Sequence, residues 1–346
     1  MRCGDFRTSY AADMAIFDST FARVALGVFV AALAALPLVG TTYWLDVANR
    51  VGIAVIAAMG LNILTGFTGQ VSLGNAAFMA VGAYATAALA ARNVPFYLAI
   101  PLSGALTALV GMVFGIPSLR LKGLYLAIAT LAAHFIVAFV VVHWESMTGG
   151  VAGISIAAPA VGGFAFDSDH KIYYLILAVA IGHLFFAKNL FRTRVGKAFV
   201  AIRDHDISAE VMGVEVFRYK VLAFGVSSFY VGIAGSLFAY QARIISPESF
   251  PLDVAIDQLG MIIIGGLGSV LGSVLGAVFI TLLPEILRLM TGSLGHSFPA
   301  LVQLFASLKL GVFGLTIVLF LVFEPDGMAA RWRRIKAYWK LYPFSY

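Results

Sequence analysis

The sequence predicts an all-α polytopic membrane protein of about ten transmembrane or half-membrane helical segments, with some spans broken by glycine. Hydrophobic residues make up 61% of the 346 positions and charged residues 12%, with a mean hydropathy of +0.95. A soluble domain carries about 25% charged residues. The apolar residues also gather into runs near the ~20 residues that cross a bilayer core as a helix. One such run, from Gly60 to Ala91, is interrupted by glycines and amides.

Taken in order, residues 1–23 form a polar N-terminal segment in which Arg2, Arg7 and Arg23 offset Asp5, Asp13 and Asp18. The apolar run from Val24 to Thr41 exceeds the core of a cleavable signal, so it is expected to be the first span. Further spans are expected at Val51–Gly66, Val71–Ala91, Phe96–Ile116, Leu124–Val142, Ile172–Lys188 and Val221–Gln241, then a run from Gln258 to Met290, and a last span from Leu308 to Phe323. The external loop from His143 to His170 has no helical period and is expected to be a structured loop or a re-entrant piece over the outer mouth.

Orientation follows from Lys and Arg. Lys188, Arg192, Arg194, Lys197 and Arg203 place the segment after the sixth span in the cytoplasm, and Arg331, Arg333, Arg334, Lys336 and Lys340 place the tail there too. Arg120 and Lys122 fall on the same side. These placements require an even number of crossings, so the run from Gln258 to Met290, about 50 Å long as one helix, is expected to be two short segments meeting near Gly265, Gly266, Gly268 and Gly272; the alternative is one tilted span followed by an interfacial helix, which requires an external tail. The chain then divides into a cytoplasmic segment 1–23, a transmembrane domain 24–324 with a cytoplasmic loop at 189–220, and a basic cytoplasmic tail 325–346. The formal charge of +6 is explained by this topology, and nucleic acid is not an expected partner.

The stretch from Gly60 to Ala91 carries Asn62, Thr65, Thr68, Gln70, Ser72 and Asn75. In hydrocarbon every backbone polar group must be satisfied internally, so such a break survives only when packed in protein or lining a watery cavity. Broken spans are pointers to transport sites. Small residues and cross-helix polar bonds also serve plain helix packing, and from residue types the two roles weigh equally. Asn62, Thr65, Gln70, Ser72 and Asn75 are the candidate pathway residues.

Several chemistries are missing. Gly196-Lys197 is followed by Ala198, so the phosphate-cradling loop of an ATPase is lacking. One cysteine and six scattered histidines supply no metal-ligand spacing, and no cofactor is expected. The spans hold few ionisable residues, which disfavours proton coupling; His134 and His183 are expected to be neutral and bonded to neighbouring helices. Energy is therefore expected from a partner. The loop 189–220 is too polar to cross: a basic segment from Arg194 to Arg203 precedes a short helix that Asp206 is expected to N-cap and Gly213 to end. Gly196 and Gly213 are expected to allow turns at positive φ. Binding to anionic headgroups is the simpler role for such a loop.

Four groups of residues resemble a known family. NILTGFTGQVSLGNAAFMAVGAYATA at 62–87 is similar to the signature of the inner-membrane permease subunits of branched-chain amino acid ABC importers, of the LivM type. The loop resembles their cytoplasmic coupling loop at Arg194, Gly196, Lys197, Ala201, Ile202, Arg203, Asp204, Ala209, Glu210, Gly213, Arg218, Tyr219 and Lys220. GGLGSVLGSVLGA at 265–277 and FEPDG at 323–327 match as well. Asn75 departs from the His or second Gly that such proteins often carry.

The resemblance implies a multi-pass subunit of a bacterial inner membrane that moves branched-chain or other hydrophobic amino acids inward. The implied partners are a second, related permease, two cytoplasmic ATPase subunits, an external solute-binding protein and membrane lipid. Arg194, Gly196, Lys197, Arg203, Asp204, Glu210 and Gly213 become the expected ATPase-coupling residues. Urea or short amides as cargo, or a stand-alone carrier or channel, are the alternatives.

Overall fold

The computed structural model describes residues 20–118, 121, 123–161, 164–295, 311 and 314–341. The segment before Thr20, Arg120 and Lys122, the start of the last expected span at 308–310, and residues 342–346 lie outside the described residues. The helices are α1 Thr20–Val39, α2 Thr42–Asn62, α3 Asn75–Ala91, α4 Phe96–Ser118, α5 Leu124–His143 and α6 Asp169–Leu190. They continue as α7 Arg194–Val211, α8 Val216–Ala242, α9 Leu252–Gly265, α10 Val270–Gly295, α11 Gly314–Phe323 and α12 Gly327–Leu341.

Among the described residues, six helices are long and apolar enough to cross a membrane: α2, α4, α5, α6, α8 and α10. Shorter apolar helices lie at Arg23–Leu38, Asn75–Ala91 and Gly314–Phe323. With α9, these make about ten apolar segments in an all-α polytopic membrane protein.

Two helices form the centre. The apolar windows of α2 and α8 are each 72% buried, against 28% to 39% for the other four long helices. Helix α8 packs on α2, α3 and α4, while α2 also packs on α6 and α10. Without a hydrophobic driving force in lipid, close packing depends on small residues that let backbones approach. Gly82 of α3 meets Gly232 of α8 so closely that a β-carbon on Gly82 would overlap the Gly232 backbone. Large apolar residues such as Leu109 and Val113 on α4 and Phe135 and Phe139 on α5 are left exposed on the outside of the bundle.

The expected reversal within 258–290 is present. Helix α9 ends at Gly265, α10 begins at Val270, and Gly266 (φ +119) and Gly268 (φ +69) make the turn between them. The two helices then run antiparallel, with Gly265 against Gly272 and Gly276 against Met261.

Contacts sort the helix ends into two sides. Arg203 of α7 reaches Gly66 at the end of α2, Asn62 bonds Gly268 in the second turn, and Gly327 lies against Gly266 at the start of α12. On the opposite side, Gln241 near the end of α8 donates to Asp46 in the first turns of α2, and Tyr43 donates to Glu285 of α10.

The loop after α5 belongs to that opposite side. Its strand Ile154–Ser155 pairs antiparallel with Ile244–Ile245, just after α8. Lys171 bonds Asp167 at 2.8 Å and holds its carboxyl below the usual carboxylate range.

The histidine expectation needs correction. The His183 ring bonds Val179 O of its own helix at 2.8 Å, and the cross-helix bond there is from Tyr230 to the His183 carbonyl. Buried His134 has no partner at Nδ1. On an α-helix the carbonyl four residues back lies within reach of a side chain, which is why the local bond wins at His183.

Candidate functional site: two glycine-rich breaks and the helix beside them

The first break opens where α2 widens into a π-helical turn at Ile63–Phe67. A π turn spends one extra residue and often marks a functional site in a helix. The chain then runs without regular structure to Gly74, and Gly69 (φ +71) supplies the left-handed residue that an L side chain resists. Helix α3 spans 17 residues, about 25 Å at helical rise, so the break sits at the short end of a span.

All five candidate pathway residues are buried: Asn62, Thr65, Gln70, Ser72 and Asn75. Within the break, Thr65 donates to Gln70 O at 3.1 Å, Gln70 donates to Thr68 at 3.0 Å, and the Ser72 hydroxyl accepts from Gly74 N at 3.3 Å. Thr130 of α5 fastens the far end by accepting from Leu73 N at 2.9 Å.

Two of the five reach the second break or its helices. Asn62 donates to Ser269 O at 3.0 Å and to Ser273 at 2.7 Å, and its Oδ1 accepts from Gly268 N at 2.9 Å. One side chain thus satisfies backbone groups that the reversal between α9 and α10 leaves open. Asn75 donates to Gln258 of α9, whose amide nitrogen also approaches Met79 sulfur at 3.6 Å. Gln258 escapes a reading of the first break, because only the fold brings α9 beside α3. Its signal in the sequence is an amide inside an apolar helix.

The polar groups of the two breaks therefore bond one another in this conformation. A separate cavity of about 580 Å³ is lined by apolar side chains of α4, α6 and α8, including Phe96, Pro101, Val179 and Phe229, together with His183. None of the five candidates lines it.

The second part of the site is α7. Thr193 caps it by accepting from Gly196 N at 3.4 Å. His205, at φ −162 and ψ 102, divides the helix in two. The inner half is bound to the bundle through buried Gly196, Ala198, Phe199 and Ile202, with Arg194 and Lys197 exposed. The outer half exposes Ile207, Val211 and Met212 at 61%, 81% and 83% together with Glu210.

Two expectations for this segment change and one holds. The cap of the outer half comes from His205, whose Nδ1 accepts from Ser208 N at 3.2 Å; Asp206 instead faces Lys220 at 3.5 Å. An N-cap side chain must precede the helical residues whose amides it caps, and the kink puts His205 there. Gly196 lies in the first turn of α7, not at a positive-φ turn, and is small because Phe191 and the Leu190 carbonyl crowd it. Gly213 does lie at φ +87 and ends the helix in open space.

Arg203 and Asp204 also differ from simple outward contacts. Arg203 donates from Nε and Nη2 to Asp204 at 2.9 and 2.8 Å, and from Nη1 to Gly66 O at 3.2 Å.

A family model described as branched-chain amino acid transport system, permease component, matches residues 43–321. The chain is 34% identical over 268 residues to the high-affinity branched-chain amino acid transport system permease protein LivM of Salmonella typhimurium, covering 70% of this chain and 63% of that relative. It therefore spans less than two thirds of that relative's length. It is 24% identical over 317 residues to a probable LivM permease of Methanocaldococcus jannaschii, covering 80% of this chain and 90% of the relative. Similarity extends to the ribose import permease protein RbsC of Haemophilus influenzae, 23% identical over 256 residues, 71% of this chain and 77% of the relative. No solved structure matches.

Proposed function

Since the chain belongs to the family of permease components of branched-chain amino acid transport systems, we propose that it is the membrane-spanning subunit of an ATP-driven importer, with branched-chain or other hydrophobic amino acids as cargo. A second permease, two cytoplasmic ATPase subunits and an external solute-binding protein complete the transporter in a bacterial inner membrane. Both termini and α7 face the cytoplasm, in keeping with the Lys and Arg that flank them.

The observation that carries this reading is the outer half of α7. Ile207, Val211 and Met212 are exposed between charged residues, beyond the ends of the apolar helices. An exposed apolar cluster rimmed by polar groups fits a protein partner better than water. In the proposed complex this tip seats in a groove of an ATPase subunit, and Glu210 supplies a charged contact at the edge. Nucleotide-driven closure of the ATPases then moves α7.

The breaks at 62–75 and 266–269 form the moving wall of the passage. Stripping an amino-acid zwitterion of water costs several kcal/mol without polar partners. Asn62, Thr65, Gln70, Ser72 and Asn75 supply such partners when their present bonds exchange. A ligand shifts a two-state equilibrium only through differential affinity, so the loaded binding protein prefers one state of the permease pair.

The test is uptake by the complete transporter in proteoliposomes. The reading predicts ATP-dependent import of labelled leucine in preference to labelled urea. Preference for urea would reassign the cargo, and ATP-independent import by the purified chain would replace the importer by a carrier or channel.

A further inference from the structure

The inner half of α7 is fastened to the first break at two points, and one of them also touches the second break. The Phe67 ring, at the end of the π turn, stacks on Phe191 just before α7, with centroids 3.4 Å apart and planes 10° apart. Arg203, near the other end of the inner half, donates to Gly66 O. The backbone of Gly69 lies against the Arg203 stem: a β-carbon there would sit 3.3 Å from its Cγ. A β-carbon on Gly268 would sit 2.8 Å from Arg203 Nη1 and 3.0 Å from Gly66 O. Glycine at 69 thus leaves room for the Arg203 stem and glycine at 268 for its guanidinium, while glycine at 66 lets Asn62 and the Gly268 amide close in beside them.

We propose that Arg203, oriented by Asp204 and assisted by the Phe67–Phe191 stack, is a positioning residue that ties the docking helix to both glycine-rich breaks. The chemistry suits arginine. Its planar fork holds Asp204 through two nitrogens while a third reaches the Gly66 carbonyl, which a single ammonium cannot do. Asn62 continues the link, since its Oδ1 holds the Gly268 amide on the far side of the same junction. A shift of the inner half of α7 therefore pulls on the end of α2 and on the α9–α10 reversal together. His205 breaks the helix directly after this pair, which divides the exposed outer half from the inner half that carries the tie. This inference rests on the importer reading for what drives the motion, but the tie itself is a property of the chain.

Two measurements keep the two ideas apart. In the purified chain, Arg203→Ala should raise amide hydrogen exchange at residues 66–70 and 266–269 relative to the unmodified protein. Unchanged exchange at both would overturn the tie, whatever the protein transports. In the complete transporter, Arg203→Ala should keep the ATPase subunits bound in unmodified proportion yet raise the ATP hydrolysed per labelled leucine imported about tenfold, within the usual range of coupling factors. Arg203→Lys should fall between, and Arg192→Ala, a base outside the junction, should match the unmodified complex. An unmodified ATP-to-leucine ratio in both Arg203 variants would overturn the coupling role. If the Ala variant does not assemble, Arg203→Lys and Phe191→Leu are judged by the same ratio. Failure of the unmodified complex to import leucine would count against the importer reading, with the exchange measurement still deciding the tie.

Discussion

The two glycine-rich breaks solve one problem in opposite ways. The first, between α2 and α3, carries its own polar side chains: Thr65, Thr68 and Ser72 bond its backbone, and Gln70 bonds Thr68. The second, between α9 and α10, is nearly bare: Gly266, Gly268 and Ser269 turn the chain, and Asn62 from the first break closes its bonds. The first break is bonded largely within itself, with Thr130 and Arg203 added from α5 and α7, whereas the second takes its side-chain partner from the first. A change in the first should therefore disturb both, whereas a change confined to α9 should stay local.

The largest effect expected from this asymmetry is at Gly66. A β-carbon there would overlap Asn62 Oδ1 and the Gly268 amide, two fixed groups at the junction. Gly66→Val should destabilise the folded chain by more than about 4 kcal/mol, the scale of severe core disruption, and abolish the monodisperse peak of the detergent-solubilised protein. A monodisperse, thermally unmodified variant would show that the junction is loose.

Asn62→Leu comes next. It leaves the Gly268 amide and the Ser273 hydroxyl without this partner, at a cost of about 3 kcal/mol for such buried groups. Thermal unfolding should show the loss, and hydrogen exchange should rise at 266–269 more than at 68–74. The reverse ranking would break the idea that the second break depends on the first.

The smallest effect belongs to the Asn75–Gln258 pair. Asn75→Leu alone strands one amide and should cost about 1–2 kcal/mol, while adding Gln258→Leu should recover part of it, because removing both partners of a buried bond can be nearly neutral. A double variant as unstable as the sum of the singles would mean that the amides bond elsewhere.

The same contrast explains what the sequence reveals. The reversal at 266–269 is legible because a 33-residue apolar run is too long for one span and its glycines say where it turns. The first break is legible because amides inside an apolar run are conspicuous. That TGFTGQVSLG and IIIGGLGSVLG meet is not legible, because their junction is made by side chains far away in the chain, the Asn62 bond to Gly268 acting across 206 residues.

The α7 segment shows the other limit. Composition marks it as a loop too polar to cross, and Gly213 signals its end. Gly196 is packed by the chain just before α7, and the kink at His205 moves the cap from Asp206 to His205. Charge draws the eye to Glu210 in the sequence, whereas exposure in the fold singles out Ile207, Val211 and Met212, residues indistinguishable from core until the helix is seen to project.

The importer account stands most directly on what touches that projecting tip. Photo-crosslinking amino acids placed singly at 207, 211 and 212, and at 135 and 139 on the exposed face of α5, should be compared in intact cells. The account predicts crosslinks from the three α7 positions to a cytoplasmic ATPase subunit and none to it from α5. Crosslinks from 207, 211 and 212 to lipid only would contradict it, leaving α7 a membrane anchor.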